Sequence, residues 1–154
     1  MSRISVKGVI IGGIVDIVAT NIVTIPLVMV VAMQVNIAEI PKAEQTQLIM
    51  STMRNSPSFF AAGVILGSLC SVLGGYVAAR IAKSDALLNA ALSSWLCVGF
   101  GVYSMFGKTN FLSPAQHVMY LVASPALAAV GGALWQRYGG KAELPSASAP
   151  LSAA

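Results

Sequence analysis

Four apolar stretches, each long enough to cross a bilayer as a helix, make up most of this chain. They cover residues 8–33, 57–81, 85–106 and 114–138. About 20 apolar residues in an α-helix span the roughly 30 Å hydrocarbon core of a membrane. Backbone groups in lipid must be hydrogen-bonded within the protein, which disfavours open sheets. The sequence therefore predicts an all-α protein, a bundle of four transmembrane helices.

The composition agrees with a membrane location and a single domain. Only 9% of the 154 residues are charged and 56% are hydrophobic, whereas soluble domains carry about 25% charged residues. A chain so poor in charge cannot cover its surface in water, so the lipid bilayer is its expected partner. We predict one membrane domain, residues 1–138, followed by a flexible tail, residues 139–154, that is rich in Ala, Ser and Pro.

The nine Lys and Arg residues are divided unequally between the two ends of the predicted helices. Six lie on the side of the N-terminus (Arg3, Lys7, Arg80, Lys83, Arg137, Lys141) and three on the other (Lys42, Arg54, Lys108). Cytoplasmic loops are richer in Lys and Arg, so both termini are predicted to be cytoplasmic. Because the basic residues form no continuous stripe, nucleic acid is not an expected partner.

The long connection between the first two apolar stretches has features of a short helix. Pro41 precedes a polar segment that reaches Arg54, and proline is favoured at the first position of a helix. Leu48, Ile49 and Met53 would share one face of that helix. Two interpretations stay open, a helix lying on the membrane surface and an ordinary solvated loop.

The second predicted helix carries a small residue at every fourth position, and the others are expected to pack on it. These residues are Gly63, Gly67, Ser71, Gly75 and Ala79. The first helix has a similar row, Gly8, Gly12, Asp16, Thr20 and Thr24. Small residues let helix backbones approach closely in lipid, so the two rows are predicted to face each other. Gly74 lies off the row, and Gly74→Leu is expected to be milder than Gly75→Leu.

Asp16 is the strongest candidate for a functional residue, because a carboxylate inside a membrane helix is costly and usually faces protein. Counting 1.5 Å per residue along antiparallel helices predicts a buried polar layer at its depth. The layer would contain Asp16, Thr20, Ser71, and Ser93 or Ser94. In one interpretation Asp16 holds helices together by hydrogen bonds. In the other it takes up a proton or a cation during transport.

Motifs for catalysis do not occur in the sequence. There is no G-x-S-x-G, H-E-x-x-H or phosphate-binding loop, and the single histidine, His117, has no acidic or cysteine cluster in sequence to form a metal site with. Cys70 and Cys97 lie within apolar runs and are expected to be small buried apolar side chains. We therefore predict that the protein is not an enzyme and binds no cofactor or metal.

Two segments resemble a family of small four-span bacterial inner-membrane proteins of uncharacterised function. They are Gly74-Gly75-Tyr76-Val77-Ala78-Ala79-Arg80-Ile81-Ala82-Lys83 and Gly12-Gly13-Ile14-Val15-Asp16. The resemblance covers two of the four predicted helices. It implies a multi-pass protein of the bacterial inner (cytoplasmic) membrane, and it brings no activity or site.

The sequence predicts a non-catalytic membrane protein, a structural or accessory subunit that packs with other membrane proteins in a homo-oligomer or a larger complex. The alternative is a small oligomeric transporter or channel that uses Asp16. A water-filled cavity reaching Asp16 would favour the alternative, whereas a sealed polar layer would favour the structural role.

Overall fold

The computed structural model describes residues 4–83, 85–105 and 114–139, and these residues are 92% helical with no strand. The α-helices are α1 (Val6–Gln34), α2 (Lys42–Asn55), α3 (Pro57–Ala82), α4 (Ala86–Ser93), α5 (Trp95–Met105) and α6 (Pro114–Leu134). A 3₁₀ turn, Ile37–Glu39, follows α1, and a π-helical turn, Trp135–Gly139, continues α6. The predicted all-α class is confirmed.

Three helical stretches are long and apolar enough to cross a membrane: Val6–Gln34, Pro57–Ala82 and Val118–Gly139. A shorter apolar stretch, Ala86–Gly99, lies between the second and the third. The predicted turn at residues 107–110 lies outside the described residues, as does the predicted tail except for Gly139.

Local sequence signals explain where the long helices begin. The hydroxyl of Ser5 accepts a hydrogen bond from the backbone N–H of Gly8 at 3.2 Å, which caps the start of α1. Pro57 occupies the first position of α3, where its missing N–H costs nothing. The polar segment after Pro41 forms α2.

The sequence predicted one continuous helix for the third apolar stretch, but the structure has two, α4 and α5. The stretch divides at Ser94, whose backbone N–H bonds the carbonyl of Ala91, three residues back. The hydroxyls of Ser93 and Ser94 donate to the carbonyls of Ala90 and Ala91, each at 2.7 Å. Serine hydroxyls that bond the preceding turn compete with the backbone ladder and bend helices, which accounts for the break.

Helix α3 contacts α1, α4 and α6, and its interface with α1 is the most extensive in the described structure. Glycines bring the backbones together. A Cβ added to Gly12 would lie 2.7 Å from the carbonyl oxygen of Gly74, and one added to Gly8 would lie 2.9 Å from that of Ala78. The first residues of α1 therefore pack beside the last residues of α3, and the two helices are antiparallel.

The predicted row of small residues on α3 does not face α1 along its length. Gly74 and Ala78 contact α1, whereas Gly75 contacts Ala128 of α6. Among the described residues, nothing lies within 4 Å of a Cβ added at Gly63 or Gly67, so the part of the chain that the structure describes does not pack against these two glycines. With 3.6 residues per turn, every fourth residue advances by about 40° around the helix, so a long row leaves one neighbour and meets another.

We expect Gly74→Ala to destabilise the protein and Gly63→Ala to leave its stability nearly unchanged. The new methyl group at position 74 would lie 2.7 Å from the Cβ of Asp16, while the one at position 63 would enter open space. Overpacking of this kind costs about 1–3 kcal/mol. Unfolding of the purified protein in detergent measures both changes, and equal losses at the two positions would contradict the assigned contacts.

Candidate functional site

Asp16 lies in the interior of the helix assembly, with only 4% of its surface exposed. The two glycines one turn before it make this burial possible. Gly12 lets α3 approach at Gly74, and Gly13 lets the Ser93 carbonyl come within 2.9 Å of where a Cβ would stand. Asp16 follows on the same helix, so its carboxylate is covered by α3 and by the α4–α5 segment.

Three side chains from three helices donate hydrogen bonds to the carboxylate. The hydroxyl of Ser71 on α3 lies 3.4 Å from Oδ1 and 3.3 Å from Oδ2. The hydroxyl of Thr20, one turn along α1, lies 3.5 Å from Oδ1. The thiol of Cys97 on α5 donates to Oδ2 at 3.2 Å. The oxygens of a carboxylate accept hydrogen bonds, so each of the three contacts has a donor and an acceptor.

The structure brings some residues of the predicted polar layer together and leaves others apart. Thr20 and Ser71 lie against Asp16. Ser93 and Ser94 are buried, but their hydroxyls bond their own helix instead of the carboxylate. The prediction that one of these serines would complete the layer is therefore not met.

Cys97 takes the place of the two serines, and the sequence interpretation missed it. Its thiol had been expected to act as a small apolar group, yet a thiol is also a weak donor. Cys97 follows Ser93 by four residues, so a continuous helix over this stretch would have placed both on one face. That spacing, at the depth of a buried carboxylate, was the signal that could have found it.

A cavity of about 610 Å³ extends from Asp16 between α1, α3, α5 and α6. Its lining includes Asp16, Gly63, Gly67, Ser71, Cys97 and Tyr120. The two glycines that meet no other helix thus leave room for the cavity. Volumes of 300–1,000 Å³ are usual for pockets that bind small molecules, so the space is large enough for a ligand.

The cavity wall formed by α6 departs from regular helical hydrogen bonding near Ser124 and Pro125. The hydroxyl of Ser124 has no hydrogen-bond partner among the described residues. Pro125 has no N–H with which to bond the carbonyl of Leu121, and both Leu121 and Ser124 line the cavity. Apolar atoms make up most of the surface of the lining, so the cavity combines a largely apolar wall with several polar groups.

Close packing lies immediately beyond Asp16, toward the first residues of α1. There Gly12 contacts Gly74 and Ala78, Gly75 contacts Ala128, and Gly131 of α6 contacts the carbonyl of Val72. We call the residues near these contacts the glycine layer, which consists of Gly12, Gly74, Gly75, Ala78, Ala128 and Gly131. Asp16 therefore lies between a cavity on one side and the glycine layer on the other.

No basic side chain pairs with Asp16 among the described residues. Arg80, the basic residue of α3, lies in the last turn of that helix. Its guanidinium is 5.9 Å from the ring centre of Trp135. Trp135 in turn contacts Tyr76 edge to face at 5.5 Å. The charge of the carboxylate is thus met only by the three hydrogen-bond donors.

Comparisons with family models, with curated proteins and with solved structures find no match for this chain. The cavity and the residues around Asp16 are the features of the described structure that bear on its function.

We expect Asp16→Asn to fold with little loss of stability and Asp16→Leu to be clearly less stable. The amide keeps the size of the side chain and accepts hydrogen bonds from Ser71 and Cys97 through its oxygen, whereas leucine leaves the donors without an acceptor. Such hydrogen bonds in membranes are worth roughly 0.6 kcal/mol each, up to about 2. Thermal unfolding in detergent measures the difference, and an equal loss for both variants would contradict the hydrogen-bonded role.

Proposed function

We propose that the chain spans the bacterial inner membrane four times, with both termini in the cytoplasm. Three of the spans are the long apolar helical stretches. The remaining span, third along the chain, would be the α4–α5 segment from Ala86 to Met105, since about 20 residues suffice to cross the hydrocarbon core. The excess of Lys and Arg beside the chain termini supports the orientation. The resemblance of the segment from Gly74 to Lys83 to four-span inner-membrane proteins supports the location.

We further propose that the protein is a small transporter whose substrate site is the cavity at Asp16. The observation that carries this proposal is the cavity itself, which reaches a carboxylate that is 4% exposed. A carboxylate needed only to hold helices together would lie in a sealed layer. Intramembrane acids that face a cavity mark substrate, ion and proton pathways, so the arrangement supports transport over a purely structural role.

The residues of the site have distinct parts in the proposed cycle. Asp16 takes up the charged group, and Ser71, Thr20 and Cys97 keep the carboxylate oriented while it does so. The glycine layer blocks passage from Asp16 to the side where α1 begins. Transport would require these backbone contacts to separate while the cavity side closes, because access from both sides at once would let the substrate leak.

A structural role in a larger assembly is the second candidate, and the exposed faces of the helices favour it. Large apolar side chains remain uncovered on α1, where Ile22 is 64% exposed and Met33 is 81% exposed. Lipid or a neighbouring subunit would cover such a surface. This role fits a homo-oligomer or a membrane complex. This role involves no catalysis and no cofactor, and it does not explain why a cavity reaches Asp16.

Thiol labelling tests whether the cavity is open to water from one side only. Gly67→Cys, introduced with Cys70→Ala and Cys97→Ser, places a thiol in open cavity space, since nothing lies within 4 Å of an added Cβ at position 67. We expect a charged, membrane-impermeant thiol reagent to react with it from a single face of sealed vesicles. Lys42→Cys and Lys83→Cys in the same background identify the two faces.

The matched control is Leu69→Cys, two residues along α3. Leu69 is 61% exposed on the outer surface of the helices, where lipid would exclude a charged reagent. Reaction at position 67 but not at position 69 agrees with a water-filled cavity. Absence of reaction at position 67 from either face would contradict the transport proposal and leave the structural role.

A further inference from the structure

Asp16 is the one charged side chain among the described residues that line the cavity. The other described residues of the lining are neutral, either polar or apolar. A buried carboxylate repels anions and attracts cations, and the attraction is stronger in a low-dielectric interior than in water. The charge of the lining therefore selects against anionic ligands.

The cavity is a poor site for a bare metal ion. Calcium binds six to eight oxygen ligands, and magnesium requires near-octahedral oxygen coordination. The described residues contain no group of three or more His, Cys, Asp and Glu side chains that could hold a metal ion. A volume of about 610 Å³ is also far larger than one ion needs.

The apolar part of the wall suits a ligand with an organic body. Ile17, Val64, Val98, Leu121 and Leu127 line the cavity together with Tyr120. Burying methylene groups of a ligand against such side chains removes apolar surface from water and so favours binding. An aromatic ring attracts a cation that lies over its face, so Tyr120 offers a second favourable contact.

We propose that the cavity binds an organic cation, a single ammonium group carried on an apolar body, with the ammonium group beside the Asp16 carboxylate. This inference rests on the proposed function and names its substrate class. The hydroxyls of Ser71 and Thr20 donate at 3.3–3.5 Å, which is long for hydroxyl donors, and the Cys97 thiol is a weak donor. These bonds leave acceptor capacity on the carboxylate. A lipid acyl chain could also fill an apolar space, but it would make no use of the charge.

Three ligands that share a benzyl body and differ in charge test this proposal. They are benzyltrimethylammonium, benzyl alcohol and phenylmethanesulfonate. Equilibrium binding to the full chain in lipid nanodiscs is measured, with empty nanodiscs as the blank. We expect the cation to bind more tightly than the alcohol, and the sulfonate to bind least.

Variants assign the binding to the carboxylate. Asp16→Asn should weaken binding of the cation at least tenfold and change binding of benzyl alcohol less than twofold. Glu44→Gln removes the same charge from an exposed position on α2 and should change neither. Gly67→Leu fills open cavity space while keeping the carboxylate, and it should also weaken binding of the cation at least tenfold. With two such variants, the test does not depend on either one folding.

The outcomes separate this inference from the proposed function. Equal binding of the cation and the alcohol, or cation binding that Asp16→Asn and Gly67→Leu leave unchanged, would overturn the organic-cation assignment. So would failure of the cation to bind the unmodified protein. In each case a Gly67→Cys thiol that reacts from one face would keep the transport proposal, whereas an unreactive thiol would remove it as well.

Discussion

The contact between the backbones of α1 and α3 at Gly12 and Gly74 is the interaction on which the site depends. No driving force from water holds helices together within lipid, so close backbone packing must do so. At Gly74 an added Cβ would lie 2.7 Å from the Cβ of Asp16. The same approach that joins the helices therefore also covers the carboxylate and brings Ser71 within 3.4 Å of it.

Packing around α3 differs strongly between its two halves. In the half after Ser71, glycine and alanine contact α1, α4 and α6, and the buried alanines Ala79, Ala86 and Ala90 form a common cluster. In the half before Ser71, Gly63 and Gly67 line the cavity, and no described residue of a neighbouring helix contacts them. Asp16 lies at the boundary between the two halves. Its side chain therefore has the cavity on one side and the close-packed glycine layer on the other.

The sequence predicted the helices better than their contacts. Long apolar runs located α1 and α3 to within two residues of their observed ends, because the length of an apolar run is a local property of the sequence. Counting the rise per residue placed Ser71 at the depth of Asp16. The same counting failed for Ser93 and Ser94, since it assumed a continuous helix, and their bonds to their own backbone break it. The contact face of α3 was misassigned because a row of every fourth residue winds around the helix.

The central claim is that Asp16 is an ionisable group reached from the cavity and shielded on the other side by the glycine layer. Reaction of an Asp16→Cys thiol with a charged, membrane-impermeant reagent tests it most directly, in sealed vesicles and with Cys70→Ala and Cys97→Ser removing the other thiols. We predict reaction from the cavity face only, at a rate that Gly67→Leu lowers because leucine fills open cavity space. Reaction from neither face, or equally from both, would contradict the account.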